Sequence, residues 1–157
     1  MTAVETGLFR HVLGHVPTSV VVVTALESGR PAGMAVGSFV SVSLDPPLVG
    51  FFPSRSSSSW PKIRQAGRFG VNVLGEHQHE TSRTFATRGA DKFADTRWHR
   101  GTHGTPLLDG AIATLECDLV GVTDVGDHYF ALGRVLSLHA TGDTPLVFFR
   151  GDYARLA

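Results

Sequence analysis

The 157 residues carry 14 basic and 14 acidic side chains, so the charges cancel and the chain lacks the basic excess that would mark nucleic acid or an acidic membrane surface as its main partner. At 42% hydrophobic and 18% charged, the composition fits one domain, residues 1–157, able to bury a core without metal or disulfide staples. The single cysteine, Cys117, excludes an internal disulfide and favours a reducing, cytoplasmic setting, and the longest aliphatic block, Val20 to Val23, is far too short to span a bilayer.

Along the chain, "AVETGLFRHVLGH" (residues 3–15) spaces Val4, Leu8 and Val12 as an amphipathic helix that ends near Pro17. "TSVVVVTALE" is rich in β-branched residues and reads as a strand closed by the turn signal "SGRP". In "AGMAVGSFVSVSL" the apolar residues Met34, Val36, Phe39 and Val42 do not share one parity, so a bend near Gly37 and Ser38 must reset the face. "LVGFF" is a buried strand, and "SSSSWPKIRQAG" a short helix with Ser58 as N-cap, Pro61 in its first turn and Gly67 closing it.

"RFGVNVLG" alternates, placing Phe69, Val71 and Val73 on one face, and "EHQHETSRTFATRG" reads as a helix ending at Gly89. "AIATLECDLVGVTDV", "HYFALGRVLSLHAT" and "PLVFF" complete the strands, with Cys117 alternating with Leu115 and Leu119 as a small core residue. Two or three short helices among six or seven strands, without regular strand–helix alternation, predict a mainly β, antiparallel sheet or barrel.

Neither G-x-G-x-x-G nor G-x-x-x-x-G-K-[ST] occurs, so the glycine fingerprint of a dinucleotide fold and a nucleotide P-loop are both excluded. A phosphate bound without a P-loop needs backbone N–H groups, hydroxyl donors and a cation at a helix start, and "PSRSSSSWPKI" (residues 53–63) supplies Ser56 to Ser58 beside Arg55. A polar loop with a serine cap accounts for the run equally well. Small residues at Ala32, Gly33, Ala35 and Gly37 would let a flat group approach the backbone, with Ser38, Ser41 and Ser43 along its edge; a bent strand corner explains the same residues. Asp127 and His128 stand at a turn entering a strand, where a carboxylate can tune an imidazole, although one histidine among eight is more often structural. His77 and His79 are too close for one helix face, His99 and His103 lack evident partners, and no metal site is assigned.

Taken in order, "PTSVVVVTA", "GMAVGSFVSVSLDPPLVGFF", "SRSSSSWPKIRQAGRFGVNVL", "FATRGADKF", "LLDGAIATLECDL", "GDHYFALGRV" and "PLVFFRGDY" resemble the short-chain flavin reductases that serve two-component flavin-dependent monooxygenases. The resemblance runs from about Phe9 to Tyr153. It implies an FMN-binding split β-barrel of Greek-key type and a homodimer with flavin near the subunit interface. It also implies hydride transfer from NADH or NADPH to FMN or FAD, and release of reduced flavin to a partner monooxygenase.

Residue by residue, the resemblance assigns the flavin phosphate to Ser54, Arg55, Ser56, Ser57 and Ser58, and the strand along the isoalloxazine to Gly33, Met34, Ala35, Val36, Gly37 and Ser38. Ser43, Leu44 and Asp45 match a turn at the ring's polar edge; Phe85, Lys92 and Phe93 flank the site. His128 matches the histidine on the nicotinamide side, oriented by Asp127, and Tyr153 matches a terminal aromatic that covers the ring. One departure stands out: many relatives have M-T-x-N-S where this chain has Met34-Ala35-Val36-Gly37-Ser38, so a hydroxyl and an amide are missing. Two rival readings share this resemblance: an FMN-dependent oxidase similar to the pyridoxamine phosphate oxidases, and a non-catalytic flavin-binding protein.

Overall fold

The computed structural model describes residues 3–89, 91–142 and 144–157. In chain order the elements are α1 (Thr6–Leu13), β1 (Thr18–Ser19), β2 (Val21–Glu27), β3 (Arg30–Val36), β4 (Val40–Ser43), β5 (Leu48–Phe51), α2 (Trp60–Ala66) and β6 (Arg68–Val73). A 3₁₀ turn (Glu76–Gln78) then leads into α3 (His79–Ala86), followed by β7 (Trp98–Arg100), β8 (Pro106–Leu108), β9 (Ala113–Val125), β10 (His128–Ala140), β11 (Val147–Phe149) and β12 (Asp152–Ala154).

The main sheet has seven antiparallel strands in the order β3-β2-β6-β9-β10-β5-β4; β1-β11-β12 and β7-β8 form two smaller sheets. The predicted bend is present, because β3 stops at Val36 and β4 begins at Val40. That short link has a geometric consequence. Seven strands laid flat would separate the two end strands by about 29 Å, whereas the four Cα steps from Val36 to Val40 reach about 14 Å at most. The sheet is therefore strongly curled, bringing its first and last strands close together.

Inside the curl lie Val21, Val23, Met34, Val36, Phe51, Phe69, Val71, Cys117 and Ala131, with Trp60 and Ile63 of α2 packed on them. Phe69 fits because Gly133 has no side chain; a Cβ there would come within 2.5 Å of the ring. Outside, Val20, Val22, Leu74, Phe85, Leu108 and Leu146 form a second cluster, so the "VVVV" run is buried on both faces. The same outer layer explains why Asn72 is fully buried although it faces away from Phe69 and Val71. Its Nδ2 donates to Val22 O (3.0 Å) and Thr24 Oγ1 (3.1 Å), and its Oδ1 accepts from Leu108 N (2.7 Å). The Thr24 hydroxyl in turn donates to Pro106 O, so β8 is fastened to both β6 and β2.

β9 and β10 form a hairpin of 13 residues per strand. Pairing steps from Leu132↔Gly121 to Gly133↔Leu119, leaving Val120 over, and from Val135↔Cys117 to Ser137↔Glu116, leaving Leu136 over. The two bulges lie on opposite strands, so their offsets cancel. The first one switches the inward parity of β9 from Leu115, Cys117 and Leu119 to Val122.

Several expectations need correction. The first helix covers Thr6–Leu13 only, because Glu5 caps it by accepting from Gly7 N (2.8 Å) and Leu8 N (2.7 Å); its apolar stripe is exposed. The helix expected to reach Gly89 breaks into the 3₁₀ turn and α3, since the Gln78 side chain folds back to accept from Gly75 N at 2.9 Å. Among the described residues no helix is long and apolar enough to cross a membrane.

Candidate active site

The serine run forms a tight loop between β5 and α2. Ser54 Oγ accepts from Ser56 N (3.2 Å) and lies 3.0 Å from Ser56 Oγ, while Ser57 N donates to Ser54 O (3.1 Å). The expected N-cap, Ser58, is displaced by one: with Pro61 in the first turn α2 starts at Trp60, and Ser59 is the flanking residue. The hydroxyl that binds a helix N–H is that of Ser57, which accepts from Trp60 N at 3.1 Å. This leaves Ser58 and Ser59 to line a cavity of about 380 Å³ together with Gly33, Lys62, Asp91 and Lys92.

Lys92 is the hub of that cavity. Its Nζ donates to Gly33 O, Ser59 Oγ and Phe85 O, each at 3.1 Å, joining β3, the serine loop and the end of α3. Burial, and then the neighbouring charge of Lys62, lower its pKa from the ordinary lysine value. An anion in the cavity would relieve both costs. On the far side of the loop Arg88 Nη2 donates to Ser56 O. Lys62, Arg88 and Ser59 were not singled out from sequence, where each is one more polar residue beside a matched motif.

Among the described residues β3 is an end strand of the main sheet with β2 as its strand partner, so its outer edge has no ladder, although Gly33 O accepts from Lys92. Met34 and Val36 point into the core. Ala35, Val36 and Gly37 line a groove of about 150 Å³ with Ser82, Ala86, Phe148 and Tyr153. Gly33 is required for packing: a Cβ there would lie 2.8 Å from the Phe85 ring. Phe85 is fully buried and meets Phe93 edge-on at 5.0 Å, so this pair props the strand from behind. Tyr153 donates to Ser82 Oγ (2.8 Å) and packs 5.6 Å from Phe148, holding one wall of the groove.

Ser38 Oγ accepts from Phe52 N at 3.0 Å, fixing the bend between β3 and β4. Ser43, Leu44 and Asp45 lie at the β4–β5 turn, outside both cavities, with Leu44 92% exposed.

The serine loop meets the β9–β10 tip directly. Ser54 forms a bridge with His128, Tyr129 N donates to Pro53 O (2.9 Å), and Arg55 N donates to Asp127 O (3.1 Å). His128 Nδ1 lies 2.7 Å from Asp127 Oδ1. That hydrogen bond, and then the histidine's charge, hold the Asp127 carboxyl below its ordinary value, with a smaller contribution from Arg10. Arg55, assigned to phosphate from sequence, turns to the same tip: Nε donates to Gly126 O (3.0 Å), Nη2 lies 3.2 Å from Asp124 Oδ1, and the guanidinium sits 4.7 Å over the Tyr129 ring. Asp124 and Tyr129 were missed, since nothing local in "GVTDVGDHY" marks them as partners of a residue so distant in the chain.

Residues 13–157 match the model of the flavin reductase like domain. A flavin reductase of Pseudomonas putida is 46% identical over 99% of this chain and 93% of that protein. The reductase subunit HsaB of a flavin-dependent monooxygenase from Rhodococcus jostii is 44% identical over 96% of this chain and 78% of that protein. Among solved structures, an NADH:FAD oxidoreductase of Streptomyces globisporus in complex with NAD and FAD fragments superposes with a TM-score of 0.92 at 33% identity, covering 100% of this chain and 98% of that one.

Proposed function

The chain belongs to the flavin reductase like domain family, and from that premise we propose that its serine loop, β3 edge and β9–β10 tip form one site for flavin and reduced nicotinamide. The protein is an NAD(P)H-dependent flavin reductase that supplies reduced flavin to a flavin-dependent monooxygenase. The observation that carries the site assignment is the bridge between Ser54 and His128, which brings the phosphate-type loop and the candidate nicotinamide histidine together from distant parts of the chain.

The donor set fits FMN or FAD. Ser56 and Ser58 offer hydroxyls, Lys62 and Lys92 offer charge for a phosphate or pyrophosphate, and the small residues Ala35 and Gly37 leave the open backbone edge of β3 accessible to a flat ring. Backbone groups on that edge stand in for the hydroxyl and amide missing from Ala35 and Gly37. Tyr153 and Ser82 shape the far wall. When bound, the flavin supplies the hydride acceptor. The chain's own contribution is orientation and exclusion of water. With Nδ1–H donated to Asp127, the His128 imidazole has Nε2 left for the nicotinamide carboxamide or for charge that develops during transfer.

The finer parts of this reading are a single domain over residues 1–157, a cytoplasmic setting in which NADH or NADPH is at hand, and a split barrel supported by the curl of the main sheet. A homodimer is supported by the exposed apolar side chains of α1 and β4.

Anaerobic mixing of the protein with NADH or NADPH and free FMN or FAD tests the function: the yellow absorbance should bleach at catalytic protein concentration, and its persistence would refute it. His128→Ala should keep flavin affinity while kcat/KM for the nicotinamide falls by roughly ten- to hundredfold. Unchanged steady-state kinetics would remove His128 from the mechanism.

A further inference from the structure

We infer that Arg55 is a positioning residue: it straps the serine loop to the β9–β10 tip, and so fixes the distance between the flavin phosphate donors and His128. The inference rests on the site assignment above and departs from the assignment of Arg55 to phosphate. Four separate contacts converge on this one residue. Its backbone N–H donates to Asp127 O (3.1 Å), and its Nε donates to Gly126 O (3.0 Å) across 71 residues of sequence. Its Nη2 pairs with Asp124 Oδ1 at 3.2 Å, and its guanidinium plane lies 4.7 Å from the centre of the Tyr129 ring. Tyr129 is itself wedged between that guanidinium, Arg64 at 5.7 Å and Trp60 at 6.2 Å, which anchors the strap to the start of α2.

The shape of the group explains why an arginine stands here. A guanidinium can direct in-plane N–H bonds to a carbonyl and a carboxylate while its face rests on an aromatic ring; an ammonium can do one or the other. The tip needs such a fastening. Gly126 has φ +59°, the Asp127 side chain is 97% exposed, and Val125 is exposed, so packing alone does not hold the turn on which His128 depends. The charge available to phosphate comes instead from Lys62 and Lys92, which line the serine cavity.

A phosphate ligand and a strap predict opposite outcomes across three single variants and two flavins. Arg55→Gln, Arg55→Lys and Asp124→Asn are compared with wild type by titration with FMN and with riboflavin, which lacks the phosphate, and by KM and kcat for NADH. For a strap, all three variants raise KM for NADH, roughly two- to fivefold for Asp124→Asn, which removes one exposed ion pair, and more for the Arg55 variants, which also disturb the Gly126 and Tyr129 contacts. The double variant Arg55→Gln/Asp124→Asn is then no worse than Arg55→Gln, and FMN and riboflavin affinities change by the same factor. Amide exchange at Arg55 and Tyr129 also speeds up in Asp124→Asn, a variant of an exposed side chain that leaves the core untouched.

A loss of FMN affinity in Arg55→Gln that spares riboflavin, is largely rescued by lysine and is absent in Asp124→Asn would make Arg55 a phosphate ligand and overturn the proposal. Wild-type kinetics and exchange in all variants would overturn it as well. Bleaching by wild type is the control for the reductase site itself, and amide exchange reads the strap independently of it.

Discussion

Cys117 has no exposed surface, and burial, followed by the charges of Asp118 and Glu116, pushes its thiol up to about 12. At neutral pH it holds essentially no thiolate, the form that reacts. Alkylating reagents should therefore leave the folded protein unlabelled and modify it only on unfolding, as mass spectrometry across a denaturant series will show. Its neighbour Asp118 accepts from Arg68 Nε at 2.8 Å and lies 3.5 Å from Arg134 Nη2; the Arg68 bond is the chief reason its pKa falls below 3.8. A depressed carboxyl pKa stabilises the fold above the ordinary value and loses that contribution as pH falls through the lowered one. Asp118→Asn should thus melt below wild type at neutral pH, with the gap closing as pH drops below about 3.8. A gap that persisted in strong acid would assign it to packing. Alternation alone identified Cys117 as a core residue. Partners such as Asp118 with Arg68, or Arg55 with Asp124, were illegible because an ion pair between distant strands leaves no local periodic trace.

At the scale of elements, the strongly patterned strands were readable, and so was β11 within "PLVFF", whereas β7, β8 and β12 were not, being too short to show a period. Missing β8 hid the second buried face of β6, whose inner face was read correctly. "RFGVNV" looks one-sided, yet Gly70 and Asn72 are as buried as Phe69 and Val71 because β8 lies over them. Asn72→Ala would strand Leu108 N–H in the interior, worth about 1–3 kcal/mol when left unpaired. Chemical denaturation should register a loss of roughly 1–3 kcal/mol with the same element content by circular dichroism. A loss within 0.5 kcal/mol, the range of ordinary surface changes, would mean that water replaces the amide. The candidate site was partly legible for the same reason as β6: the serine loop, the β3 small residues and His128 each sit in a local motif, while Lys62, Arg88 and the strap are placed by tertiary packing.

The whole molecule leaves apolar surface uncovered. Val4, Leu8, Phe9, Val12 and Val16 of the N-terminal segment, and Val40, Val42 and Leu44 at one end of the main sheet, are all exposed. Clusters of this kind mark association surfaces. Sedimentation should accordingly find a homodimer, and Leu8→Glu/Val12→Glu should shift it toward monomer; a wild-type monomer at micromolar concentration would refute the homodimer. The spacing announced the amphipathic α1, whose apolar stripe is exposed in the described chain. Periodicity reports that a stripe exists, not whether its cover comes from the same chain.

The paired bulges of the long hairpin give the molecule a phase rule. Val120 advances β9 by one step and Leu136 returns β10 by one, so the tip and the base of the hairpin are in step although the stretch between them is not. Loss of either residue alone would rotate one end by half a period. The Asp124 carboxylate would then face away from Arg55, and no substitution at the tip would bring it back. A matching deletion on the opposite strand restores the beat, so this hairpin should bear a compensated pair of deletions better than either single one.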